Sequence, residues 1–223
     1  MPGDTCVLAE SGRQIDRFFR VNPEYAQIYL QDNFWERRAI AVRYSPLSAL
    51  SVVMDDHDEV VRRAVVYRLP AHQLKQFIED SDREVRMTVA DRINAENLEL
   101  LADDRDYIVR LTVARRLPAG RLFRYIKDPD LQVRKVVAER LPEVSLGLMK
   151  QDSDAEIRRI IASRIDDEQA IEFLQDEDWL VRYIAAEHVP ILALSELLND
   201  TEPDVREMAE QRLKNSKQEQ NDD

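Results

Sequence analysis

The sequence predicts an all-α solenoid of 24-residue repeats, on three observations. Arginine recurs every 24 residues, as Arg38, Arg62, Arg86, Arg110, Arg134, Arg158, Arg182 and Arg206. Six residues before each stands an aspartate: Asp32, Asp56, Asp80, Asp104, Asp128, Asp152, Asp176 and Asp200. Around each arginine the apolar residues keep a helical spacing, and prolines (Pro46, Pro70, Pro118, Pro142 and Pro190) cut the pattern off. A fixed period without insertions marks a repeat architecture, in which each unit buries its apolar face only against its neighbours.

The elements follow in order. Residues 1–13 are polar and expected to be irregular. Residues 14–31 read as a degenerate capping repeat: Gln14 replaces the arginine, and Phe18, Phe19, Tyr25 and Tyr29 supply the bulk that closes a core end. Eight repeats then span 32–213. Each opens with a turn, as in Asp80-Ser81-Asp82 and Asp128-Pro129-Asp130, whose second aspartate is placed to cap the helix that follows. Pro203 suits a first helical position. Proline ends the helix because it lacks an N–H and pushes its predecessor out of helical geometry. A short apolar segment such as Leu122, Tyr125 and Ile126 comes next. Two full α-helices at about 1.5 Å per residue do not fit the repeat. The segment is therefore either one and a half α-turns or a 3₁₀ stretch. Residues 214–223 are polar and acidic and expected to be disordered.

The repeat arginine carries the most information. At about 100° per residue, Arg134 falls between Leu141 and Ala138, inside the apolar arc. A guanidinium there needs charge and hydrogen-bond partners, because an unpaired buried charge is very costly. The aspartate six residues earlier and the aspartate of the neighbouring unit are both open as partners, with turn carbonyls taking the remaining donors. The sixteen residues are expected to form an internal structural ladder.

Composition excludes other classes. With 44 acidic and 32 basic residues the formal net charge is −12, and the bases do not gather in sequence, so no nucleic-acid partner is expected. No phosphate-cradling glycine loop occurs. No 18-residue apolar run occurs either, so no membrane partner is expected and the reading is cytoplasmic. His57, His72 and His188 occupy different repeat positions, so no metal site is expected.

The repeat positions three before and one after each arginine vary. They place Trp35, Tyr107 with Leu111, and Trp179 with Tyr183 toward the solvent edge of their helices, the paired residues four apart. Large aromatic side chains are typical interface anchors, so these five are the expected partner-binding residues, for a protein partner whose identity the sequence does not give.

Asp104 to Pro118 carries the pattern Asp-x-Asp-x-x-Val-Arg-x-x-Val-Ala-x-Arg-Leu-Pro. This pattern resembles the leucine-rich repeat variant family over about residues 32–213, and the resemblance implies a right-handed superhelix of alternating α- and 3₁₀-helices. The run Gly12-Arg13-Gln14-Ile15-Asp16-Arg17-Phe18-Phe19-Arg20, with Asn22-Pro23 and Tyr29-Leu30, is similar to the segment entering the repeats in the iron–sulfur members of that family. Those members occur among bacterial nitrogen-fixation genes and carry an N-terminal cysteine cluster for a four-iron, four-sulfur (4Fe-4S) centre. Gly3-Asp4-Thr5-Cys6-Val7 resembles the tail of that cluster, which would make Cys6 a remnant ligand; otherwise it is a free thiol. Such a centre normally takes four thiolates, and this chain has one cysteine. The cluster is thus implied for the family only, and no cofactor is expected in this chain as given. The family's cluster domain has been lost, or the chain begins downstream of it, or an oligomer supplies one cysteine per subunit.

The leading expectation is a non-catalytic scaffold for protein–protein interaction, an accessory protein of nitrogen fixation or iron–sulfur metabolism. A cluster-carrying or electron-transfer protein is the alternative if a longer N-terminus exists. An enzyme on HEAT-like repeats, of the DNA glycosylase or bilin lyase type, is the third reading.

Overall fold

Where a turn carries a second aspartate, that residue begins the helix, as expected. Asp58 accepts the Val60 N–H, Asp82 those of Glu84 and Val85, Asp130 those of Gln132 and Val133, and Asp154 that of Glu156. The short segment after each helix resolves as 3₁₀. The prolines Pro46, Pro70, Pro118, Pro142 and Pro190 each accept, at the carbonyl, the N–H three residues on, at 2.8–3.0 Å. Where proline is replaced by Asp166, that carboxylate caps a four-residue α-turn before the 3₁₀ stretch.

The computed structural model describes the backbone of residues 7–222 and the side chains of 7–218; Cys6 lies outside the described residues. The chain divides into two units, one ending at Arg116 and one beginning at Leu117. The first holds α1 (Gly12–Val21), 3₁₀ Pro23–Gln31, α2 (Trp35–Tyr44), 3₁₀ Leu47–Val53, α3 (Glu59–Arg68), 3₁₀ Ala71–Phe77, α4 (Arg83–Arg92), 3₁₀ Ala95–Leu101 and α5 (Tyr107–Arg116). The second holds 3₁₀ Ala119–Tyr125, α6 (Leu131–Arg140), 3₁₀ Glu143–Met149, α7 (Ala155–Ala162), α8 (Asp167–Ala170), 3₁₀ Ile171–Gln175, α9 (Trp179–Ala186), 3₁₀ Ile191–Asn199 and α10 (Pro203–Asp222).

Each core layer repeats. Val61, Val65, Val66, Leu69, Leu74 and Phe77 are buried in one repeat of the first unit, and Ile157, Ile161, Ala162 and Ile165 hold the matching helix positions in the second. Consecutive α-helices within a unit therefore stack their valine and leucine faces, and each 3₁₀ helix covers the other side with one or two buried leucines or aromatics.

Two expectations need correction. Residues 214–222 continue α10 instead of forming an irregular tail. No glycine or proline follows Pro203, and the Glu, Gln, Lys and Arg residues there are good helix formers, so nothing local stops the helix. Helix α1 begins at Gly12, inside the stretch 1–13 expected to be irregular. It buries Ile15, Phe18 and Phe19 and is tied to α2 through Asp16, which accepts from Tyr44 and Arg43 at 2.8 Å each. Phe19 meets Phe18 and Tyr29 edge-on at 5.4 and 5.5 Å.

Candidate functional site

The arginine ladder comes first because it decides which side chains remain for binding. In the first unit Arg38, Arg62 and Arg86 reach forward to Asp56, Asp80 and Asp104, 18 residues on. In the second, Arg134, Arg158 and Arg182 reach Asp152, Asp176 and Asp200. In all six pairs Nε donates to Oδ2 at 2.7 or 2.8 Å. Nη2 donates to Oδ1 of the same carboxylate at 2.8–3.2 Å. This is the two-pronged geometry that a planar guanidinium fits. The aspartate six residues before each of the seven arginines from Arg38 to Arg182 gives its main-chain carbonyl instead, which Nη1 reaches at 2.8 or 2.9 Å. Each of these six carboxylates therefore belongs to the arginine of the preceding repeat, while the aspartate carbonyls go to the arginine of their own.

The ladder's ends differ in kind. Gln14 stands where Asp32 would find its arginine, and Asp32 takes Arg37 Nη1 at 3.1 Å. Arg206 donates to the Asp200 carbonyl. Burial would raise the Asp56 and Asp80 carboxyls. The guanidinium of Arg38 or Arg62, and a backbone N–H, overcome it and hold both below the ordinary carboxylate range. The hydrogen bond from Arg182 does the same for Asp200. The six paired arginines and their six aspartates are thus engaged inside the fold.

A second ladder was not anticipated. An arginine near the end of the repeat helix reaches back to carbonyls at the C-terminus of the previous helix in its unit. Arg68 donates to Val42 and Ser45 carbonyls at 2.7 and 3.0 Å, Arg116 to Ala90 and Ile93 at 2.6 and 2.8 Å. In the second unit Arg164 reaches Ala138 and Leu141, and Arg212 reaches Ala186 and Val189. A cation there satisfies carbonyls that lack a partner inside the helix and meets the negative end of its dipole. The sequence signal was present, since these arginines also recur every 24 residues. At position 188 the series carries histidine, whose Nε2 lies 2.7 Å from the Ala162 carbonyl and Nδ1 2.9 Å from Asp167.

With these residues occupied inside the fold, the outer helix positions carry what is free. Trp35 and Tyr107 in the first unit and Trp179 in the second are exposed; Leu111 and Tyr183 are half-buried. Trp179 and Tyr183 meet at 6.5 Å with their rings inclined by 75°. They form one wall of a cleft of about 310 Å³ whose other wall is Asp204, Glu207 and Met208 of α10. Trp35 lines a cleft of about 510 Å³ between α2 and α3, together with Arg63 and Tyr67, residues that sequence reasoning did not select; Tyr67 is 59% exposed. Tyr107 and Leu111 share the outer face of α5, in neither cleft. Among the described residues no group of three His, Cys, Asp or Glu is placed to hold a metal ion, and no helix is long and apolar enough to cross a membrane.

Three comparisons bear on this arrangement. A family model described as "Leucine rich repeat variant" matches residues 108–130, the stretch from α5 to the next Asp-x-Asp turn. A solved structure described as a leucine-rich repeat variant with a novel repetitive protein structural motif is 59% identical, with a TM-score of 0.87, over 96% of this chain and 91% of that one. A Rhodobacter capsulatus protein, described as an uncharacterized 27.7 kDa protein in the nifB 3′ region, is 36% identical over 69 residues. That alignment spans 31% of this chain and 28% of that relative's length. Because the repeat grammar, the alternation of α- and 3₁₀-helices and a near-complete match at high identity agree, the chain belongs to the leucine-rich repeat variant family.

Proposed function

We propose that this protein is a non-catalytic scaffold that captures a protein partner through the variable outer positions of its helices. The observation that carries the proposal is the division of labour among its side chains. The constant polar residues are held by one another inside the fold, while large aromatics stand exposed at positions the fold does not need. Tryptophan and tyrosine at such positions supply much of the energy of protein interfaces. Trp179 and Tyr183 offer the best-formed anchor, because they share one cleft wall.

The setting we propose is nitrogen fixation or iron–sulfur metabolism. Support comes from the N-terminal run Gly12–Arg20, which resembles the entry segment of the family's iron–sulfur members, and from the nifB 3′-region relative. The test is affinity capture from the protein's own host, grown with dinitrogen or with ammonium. The expected outcome is a partner enriched under dinitrogen, captured by the parent protein and lost with Trp179→Ala, Tyr183→Ala. Equal capture by parent and variant would sink the assignment of the surface; equal capture under both nitrogen sources would sink the setting.

A further inference from the structure

The cleft between α9 and α10 also carries information about the chemistry of its occupant. Its aromatic wall presents Trp179, 39% exposed, with Tyr183 set edge-on beside it. The facing wall presents Asp204 and Glu207, three apart on one face of α10, both exposed and neither in an ion pair among the described residues. Three arginines of α7, α9 and α10 are engaged with other groups: Arg182 holds Asp200, Arg159 holds Asp178, and Arg206 donates to the Asp200 carbonyl. Leu180 and Met208 complete the lining with apolar surface. The cleft lining thus offers π-faces and two carboxylates, with no lysine or arginine among its residues.

The α2–α3 cleft supplies a contrast. Trp35 occupies the same repeat position as Trp179, three before the ladder arginine. The position facing it, one after the next ladder arginine, is Arg63 there and Glu207 here. The repeat therefore builds the same kind of groove twice and gives it opposite charge.

We infer that the Trp179–Tyr183–Asp204–Glu207 cleft is a binding site for an arginine side chain presented by a basic segment of a partner protein. A guanidinium stacks on an indole face while its N–H donors reach carboxylates at its edge. Arginine suits this better than a quaternary ammonium, which has no N–H to give the two acids. It suits it better than an apolar anchor, which would leave both acids without a partner. The inference rests on the partner-capture reading above and names the chemistry of that partner.

The test uses the full chain carrying Trp35→Phe, so that Trp179 is the only tryptophan, and follows its fluorescence. The probes are a capped Gly-Arg-Gly-Arg-Gly peptide and its Gly-Leu-Gly-Leu-Gly counterpart. The arginine peptide is expected to give a saturable change that weakens about tenfold or more with Asp204→Asn, Glu207→Gln and weakens with added salt. The leucine peptide is expected to give none. Both neutralised residues are exposed, and an unchanged thermal melt confirms that the variant keeps its fold. The inference is overturned by an equal response to the leucine peptide, by undiminished binding to the neutralised variant, or by no saturable response. A matching response from Trp35 in Trp179→Phe protein would also overturn it, since it would show stacking without regard to charge. Partner capture separates the two levels. If Trp179→Ala, Tyr183→Ala abolishes capture and Asp204→Asn, Glu207→Gln leaves it intact, only the arginine assignment fails. If neither pair affects capture while the arginine peptide binds, the capture surface lies elsewhere.

Discussion

Asp104 shows how a buried charge is made tolerable. Its Oδ2 accepts Arg86 Nε at 2.7 Å, its Oδ1 accepts Arg86 Nη2 at 3.1 Å and the Asp106 N–H at 2.8 Å, and its carbonyl accepts Arg110 Nη1 at 2.9 Å. Arg86 is only 3% exposed, so removing it strands the carboxylate away from water. Arg86→Ala is expected to cost about 3–5 kcal/mol in urea unfolding, as for other broken buried pairs. A loss below about 1 kcal/mol would mean a solvated pair of little consequence. Acid should act on the same rungs. Asp56, Asp80 and Asp200 are held below their ordinary value of 3.8 in the fold. Their contribution is therefore complete above that value and is lost as pH falls through the lower folded values. The thermal melt should be flat from neutrality to about pH 5 and fall steeply below about pH 4. Asp80→Asn should lower it at neutral pH and reduce that acid dependence; an unchanged acid limb would count against the rungs as its source. The pairing itself was only half legible. In a 24-residue repeat the aspartate six before an arginine and the one eighteen after belong to the same series, so periodicity cannot separate them. Only the geometry assigns carboxylate to one arginine and carbonyl to the next.

At the scale of the element, the helices and their starts were readable because their causes are local: an aspartate cap, an apolar stripe, a proline stop. The choice of 3₁₀ over α for the short segment required the observed carbonyl partners, since composition fits either. The second arginine ladder was visible as a period but not as a role, because its acceptors are main-chain carbonyls that no side-chain pattern reveals. His188 tests that role. Arg164 and Arg212 each reach two carbonyls of the preceding helix end, whereas His188 makes one such contact, to Ala162. His188→Arg should add a second and stabilise the protein by about 1 kcal/mol. A variant that melts earlier would mean that the histidine, with Asp167, is the better fit at this joint.

For the whole molecule, the ladder implies that stability is held between neighbouring repeats as much as within them. That arrangement is what frees the outer helix positions from structural duty, and it explains why the exposed aromatics were legible in sequence as variable while their charged surroundings were not. Asp204 and Glu207 meet Trp179 and Tyr183 only because α10 stacks on α9. Trp179→Ala, Tyr183→Ala is accordingly expected to shift the melt by only a few degrees, in contrast to Arg158→Ala in the same unit; a collapsed melt would place the pair in the core. The most direct test of the account is a pair of double-mutant cycles in the first unit. One combines Arg86→Ala with Asp104→Ala, the other Arg86→Ala with Asp80→Ala, each read by urea unfolding. The account predicts a coupling of about 2–3 kcal/mol for Arg86 with Asp104 and less than about 0.5 kcal/mol for Arg86 with Asp80, whose carbonyl survives the substitution. The reverse order would show that each arginine is paired within its own repeat, and would contradict the account of how the repeats are joined.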